Sequence, residues 1–208
     1  MEYLDIYDEN KNYLGFDTRD NVHLNGLWHN TVHCWLYDNK GNIYFQIRSD
    51  LKTFYTTASG HVLKGESIKE AFAREIKEEI GLDIDYDKAE LVNIVIWKMD
   101  KEKNGIITKD RAFANTYIYQ INDIDYQKFI FDDELDGVIK VNAKKTLELF
   151  KKEKGKIKAD IITKEKAKNI KTTKMVDFKD FLVMNHEKAI DKYGDVLNKV
   201  IAIYKESK

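Results

Sequence analysis

The chain has 208 residues, 43% of them apolar and 12% aromatic, which is enough for a packed core and argues against global disorder. A net charge of −1 gives no general drive toward nucleic acid or an anionic membrane. One cysteine, Cys34, leaves no internal disulfide and suits a reducing compartment. The start, "MEYLDIYDEN", lacks the basic and apolar regions of a signal peptide, and no apolar run approaches the roughly 18 residues of a membrane helix; a cytoplasmic location is expected. In chain order, residues 2–7 and 13–16 are strand-like around the turn-prone "DENKN". A longer strand is expected from Thr31 to Tyr37, with "DNKGN" turning the chain into "IYFQIRS". "TFYTTASGH" then leads to a helix from about Glu66 to Ile80, ended by Gly81 as a left-handed cap. Phe72, Ala73, Ile76 and Ile80 form its apolar stripe. Strands follow near 91–98 and 112–120, joined by a charged loop, "DKEKNGIITKDR", placed to overhang a cleft. "NAKKTLELFKKEKGK" reads as a helix and "VDFKDFLVMNHEKAIDKYGDVLNKVIAIYKE" as one or two more. Residues 151–174 between them hold ten lysines against three acids but no arginine and no aromatic, so a solvated helical surface is expected rather than a polyanion site. The organisation is therefore an α/β domain over 1–142 and a helical extension, 143–208, packed on it.

Glu75, Glu78 and Glu79 crowd one turn of the helix in "GHVLKGESIKEAFAREIKEEIGL". Spacings of three and four residues put carboxylates on one face, where like charges repel by about 0.2–0.5 kcal/mol per pair. A solvated Glu/Lys face is the ordinary reading of such a run. A divalent cation offsets the repulsion if the face belongs to a site, because hard cations take carboxylate oxygens together with substrate phosphates. The flanking residues decide between the two. Gly60, Glu66, Arg74, Glu75, Ile76, Glu78, Glu79, Gly81 and Leu82 fill every position of the pattern G-x5-E-x7-R-E-U-x-E-E-x-G-U, where U is a bulky aliphatic.

That pattern is the Nudix box, and the chain resembles the Nudix hydrolase superfamily. The resemblance implies an α/β/α sandwich around a mixed sheet, with the box as a loop-helix-loop. It implies hydrolysis of a small diphosphate-containing metabolite with Mg²⁺, or Mn²⁺, and homodimers are common in the family. Glu75, Glu78, Glu79 and the Gly60 carbonyl match the metal ligands, while Arg74 and Glu66 match residues that orient them. A glutamate must take the proton of the attacking water. Glu75 and Glu78 belong to the catalytic cluster, and Glu134 in "FDDELDGV" offers a base from a downstream loop, although an acidic turn of this kind is more often simply solvated.

The stretch before the box is similar to type I isopentenyl diphosphate isomerases and their hydrolase relatives, through Asp8, Glu9, Gly15, Arg19, His23, Trp28 and His29. By that resemblance Arg48 and Lys52 hold a substrate diphosphate, and His61, with His29 and a residue near His23, contributes to a second metal site. The departures point away from isomerisation. Ser59 stands where the isomerases carry a catalytic cysteine, Asp110 and Arg111 where they carry a glutamate, and Glu75 where they usually carry arginine. Hydrolysis is the first reading, isomerisation of isopentenyl diphosphate the second, and a diphosphate sensor without turnover the third. Trp28, Trp97 and Phe113 are expected in the core rather than in a pocket.

Overall fold

The computed structural model describes residues 1–103, 105–122, 124–152, 154–182 and 186–206. Strands β1 (Tyr3–Tyr7) and β2 (Tyr13–Thr18) pair antiparallel across the first turn, where the Asp8 carboxylate accepts the N–H groups of Asn10 and Asn12 at 2.9 and 2.8 Å. A short helix, α1 (Arg19–Asn25), follows. The chain continues through β3 (Trp28–Tyr37), β4 (Asn42–Arg48), β5 (Phe54–Tyr55), β6 (Ala58–His61), α2 (Ile68–Ile80), β7 (Glu90–Lys103), β8 (Ile106–Gln120) and β9 (Leu135–Asn142). It ends with α3 (Ala143–Lys152), β10 (Ile157–Glu165), β11 (Lys168–Val176) and α4 (His186–Glu206).

Among the described residues the strands form one mixed sheet, ordered β11-β10-β9-β4-β3-β1-β2, with β8 parallel to β3. Side chains alternate across each strand, so each strand serves two cores. Along β3, Val32, Cys34 and Leu36 pack with Phe72, Ile76 and Ile80 of α2. Trp35 and Tyr37 turn to the other face and pack with Phe150 of α3 and with Tyr193, Val196 and Leu197 of α4. The result is the expected α/β/α layering. Cys34 is buried in the α2 layer, and that burial pushes its thiol pKa well up.

Three expectations need correction. The segment between α3 and α4 is a β-hairpin, paired from Ile157↔Val176 to Glu165↔Lys168, and β10 also pairs with β9. Its apolar residues Ile157, Ala159 and Ile161 recur at period two and are buried, while most lysines point outward. Lysines along an exposed edge strand oppose edge-to-edge pairing, so the charge reflects an edge and not a helix. The charged "overhanging" segment is likewise paired, from Met99↔Asp110 to Lys103↔Ile106, as the end of a long β7–β8 hairpin. On α2, Ala71 and not Ala73 completes the buried stripe, and the helix starts at Ile68 behind a Ser67–Glu70 capping box. Gly81 ends it as expected, with φ 74° and its N–H donating to the Lys77 carbonyl.

Candidate active site

β6 lies beside β3 with Gly60 opposite Val32 and Ser59 opposite His33, and α2 runs beneath it. Gly60 is required by close approach: a Cβ there would fall 2.1 Å from the Glu75 carboxyl carbon. Glu75 and Glu79 are both buried, at 9% and 8% exposure, whereas the Glu78 side chain is 57% exposed. The three glutamates therefore do not share one environment; two are drawn under the strand and one stays at the rim. Glu79 accepts the Ser59 N–H at 3.2 Å and the Gln46 amide at 3.4 Å.

Arg74 ties the cluster together. Its guanidinium donates to both Glu66 oxygens at 2.8 and 2.9 Å, to Glu75 at 2.7 Å, to Glu78 at 3.0 Å and to the His61 carbonyl at 2.8 Å. Five donors in a planar fork suit this many acceptors, as an ammonium would not. One arginine cannot neutralise four carboxylates. Burial raises the Glu75 pKa to about 7 against the opposing pull of Arg74, and burial followed by the Glu75 charge holds Glu79 well above the usual range. Oxygen donors, excess negative charge and a glycine-lined approach fit a hard divalent cation.

Glu134 lies in the turn before β9 and is exposed; its carbonyl accepts the Ser49 N–H at 2.8 Å. Its charge, with that of Asp132, reaches Glu79. Asp132 was missed in the sequence. It is half-buried, its carboxylate accepts the Glu134 N–H at 3.0 Å, and burial raises its pKa. The four acids of "FDDELDGV" carried that signal without showing which one turns inward.

Arg48 and Lys52 are not a free basic pair. Arg48 makes two hydrogen bonds to Asp50, at 2.9 and 3.0 Å, and Lys52, 67% exposed, pairs with Asp136 at 2.7 Å. Arg48 still lies within the field of Glu134 and Tyr55, at the edge of the acidic cluster.

His61 meets His23 and His29, each offering a ring nitrogen within 4.8 Å of the others. His23 Nδ1 lies 2.8 Å from the Arg19 carbonyl and His29 Nδ1 3.1 Å from that of Leu27, leaving the Nε2 atoms of His23 and His61 3.3 Å apart. His29 Nε2 and Asp110 Oδ1 are buried without a hydrogen-bond partner, 3.6 Å apart. Burial lowers the pKa of His29 and His61, so both are neutral. Trp28 and Phe113 are core residues, stacked at 4.8 Å, whereas Trp97 is only half-buried, against α4.

The NUDIX domain family model matches residues 27–160. An uncharacterised Nudix hydrolase of Clostridium acetobutylicum is 33% identical over 191 residues, covering 87% of this chain and 90% of that protein. An isopentenyl-diphosphate delta-isomerase of Photorhabdus laumondii is 30% identical over 87 residues, 39% of this chain and 49% of that enzyme. A crystal structure from Deinococcus radiodurans shares the fold, with a TM-score of 0.52 and 19% identity over 73% of this chain and 89% of its own. With the domain model spanning most of the sheet and α2, and the clostridial relative aligned well beyond it, the chain belongs to the Nudix family and is a Nudix pyrophosphohydrolase.

Proposed function

We propose that this Nudix hydrolase uses Mg²⁺, with Mn²⁺ as a substitute, to cleave a phosphoanhydride bond in a small diphosphate-containing metabolite: a nucleotide, a nucleotide sugar or a prenyl diphosphate. The observation that carries the reading is the convergence of the buried Glu75 and Glu79 carboxylates beneath Gly60, with Arg74 as the nearest cation. Glu75, Glu78, Glu79 and the Gly60 carbonyl would hold the cation. When bound, it neutralises phosphate charge and lowers the pKa of an attacking water. Arg74 fixes the positions of Glu75 and Glu78 through its hydrogen bonds. Glu75 is committed to Arg74 at 2.7 Å, whereas the Glu134 carboxylate has no hydrogen bond among the described residues; Glu134 takes the proton of the attacking water. Arg48 reaches a substrate phosphate by exchanging Asp50 for it, and Lys52 attracts the substrate from the rim. His61, with His23 and His29, supports a second cation site, because three converging imidazole nitrogens are a donor set for a borderline metal.

Isomerisation is disfavoured at a specific place. The residue before Gly60 is Ser59, and Cys34 is buried on the α2 face, its thiol directed at the Phe72 carbonyl. The single buried cysteine suits a reducing cytoplasm. The test incubates the protein with Mg²⁺ and a panel of nucleotides, nucleotide sugars and prenyl diphosphates, with products followed by phosphorus NMR. Cleavage of one class, lost in Glu79→Gln, is expected. Conversion of isopentenyl to dimethylallyl diphosphate would replace the reading with the isomerase; binding without turnover across the panel would replace it with a sensor.

A further inference from the structure

The sheet face opposite α2 carries a second polar constellation that the metal-centred chemistry leaves unused. Lys192 extends from α4 and places its ammonium 4.2 Å from the ring centroid of Tyr55, 4.9 Å from that of Trp97 and 5.3 Å from that of Tyr193. Those rings come from β5, β7 and α4, so three elements enclose one charge. Ring faces attract cations but accept no strong hydrogen bond. Lys192 has no ion pair and no hydrogen-bond acceptor among the described residues, and the charge that acts on it is another cation, Lys101. It is half-buried, so solvent still reaches it.

The place connects to the acidic cluster. His33 packs against Tyr55 with ring centroids 6.2 Å apart, and it pairs across the strands with Ser59, whose N–H holds Glu79. Tyr55 itself feels the charges of Asp110, Arg48 and Glu79. Two further polar atoms are buried without a partner, Thr31 Oγ1 and Asn93 Oδ1. Thr31 shares the parity of His33 and Trp35 on β3, and Asn93 donates to Asp195 of α4 at 2.7 Å, so both lie on this face.

We propose that Lys192, walled by Tyr55 and Trp97, binds a substrate phosphate beyond the diphosphate held at the glutamates. The enzyme then selects substrates that carry such a group. The inference rests on the hydrolase reading above, and it assigns recognition to α4, which lies outside the matched residues 27–160. An ammonium binds phosphate as a compact charge, and it gains most where no protein carboxylate competes. Burial and Lys101 lower the Lys192 pKa to about 7, which is the state of an amine awaiting an anion.

Two measurements on the full chain test this. In the first, metal-free protein is labelled at neutral pH with a trace of acetic anhydride, with and without inorganic tripolyphosphate, and acetylation is read at each lysine by mass spectrometry. Lys192 should react at least about tenfold faster than an exposed lysine such as Lys164, because far more of it is the free amine. Tripolyphosphate should suppress that reaction at Lys192 and leave Lys164 unchanged. In the second, Lys192→Met and Lys192→Arg are compared on the cleaved panel substrates. Loss of a charge-assisted contact should raise KM about 10- to 100-fold for substrates with the extra phosphate, with kcat little changed and Lys192→Arg restoring most of it. Melting temperatures separate this from misfolding. Labelling of Lys192 that tripolyphosphate does not suppress overturns the anion site; an unchanged KM in Lys192→Met overturns its role in recognition. Should no panel compound be cleaved, the hydrolase reading fails, and protection alone still decides whether Lys192 binds phosphate.

Discussion

Gly60→Ala tests the placement of the acidic cluster with one methyl group. Gly60 does not occupy the left-handed region, so alanine brings no backbone strain there. Its Cβ would lie 2.1 Å from the Glu75 carboxyl carbon and Oε1 and 2.3 Å from Oε2. Ordinary contact begins near 3.4 Å, so the carboxylate must retreat by more than about 1 Å or the strand must lift from α2. Glu75 cannot swing freely, because Arg74 holds Oε1 at 2.7 Å and the site is buried. Misplacement of about 1 Å at a reacting centre costs on the order of 100-fold in rate, or about 2.7 kcal/mol of barrier. Relieving a clash of this depth in a buried site should cost about 1–3 kcal/mol of unfolding free energy. Steady-state kcat and KM on a cleaved panel substrate, beside urea unfolding and Mn²⁺ titration by electron paramagnetic resonance, separate the two effects. Wild-type kcat/KM in a folded Gly60→Ala protein would refute the idea that Glu75 acts from beneath this strand. A rate loss no larger than the loss of folded protein would do the same.

Glu79→Gln should abolish measurable turnover and yet raise the melting temperature of the metal-free protein near pH 8, because burial penalises the charge that the amide removes; a fall in melting temperature would contradict the assignment. Arg74→Met should cost about 2–3 kcal/mol by urea unfolding, a buried-pair penalty discounted for a side chain that is 25% exposed, since it strands Glu66 and Glu75 together. Arg74→Lys should recover part of that stability but little activity, as one ammonium cannot span four acceptor groups. Burial holds His33 at about 4. The unfolded chain therefore binds a proton that the folded one refuses, so stability is full above about pH 6.5 and falls as pH drops toward 4, by about 3 kcal/mol in all. His33→Gln should flatten that limb of the pH–stability curve; an unchanged slope would mean that another group sets it.

The acidic cluster was legible because it is local. Glu66, Arg74, Glu75, Glu78, Glu79 and Gly81 lie within sixteen residues of one another in a fixed loop-helix geometry, so spacing alone implied their meeting. Spacing did not show that Glu75 and Glu79 are buried while Glu78 is not, because the difference is set by where β6 crosses the helix. The β10–β11 hairpin was obscured by its lysines. Helix-forming charge at exposed positions outweighed the period-two signal of Ile157, Ala159 and Ile161, and the turn rests on Lys166 at φ 54° rather than on a glycine or asparagine. α1 spans only seven residues, too few for a periodic signal. Lys192 carried no signal at all. It sits in an amphipathic helix among other lysines, and only the approach of Tyr55 and Trp97 from distant strands distinguishes it.

These two kinds of residue predict two kinds of mutational behaviour. The groups proposed for chemistry are held by short-range contacts between β6 and α2: the Ser59 N–H on Glu79, the His61 carbonyl on Arg74, and Gly60 against Glu75. A change there moves atoms that must be aligned in the transition state, and it should appear chiefly in kcat. Lys192, proposed for recognition of a further phosphate, stands on α4 and meets the rest of the site at Tyr55 and, beyond it, His33. A change there alters binding that is equal in ground and transition states, and it should appear chiefly in KM. The sheet itself enforces the separation, because β3 sends Cys34 and His33 to opposite faces. Substrate preference can then drift by substitution along α4 while β6 and α2 stay fixed, and relatives that share the motif but differ in α4 should cleave different compounds by the same chemistry.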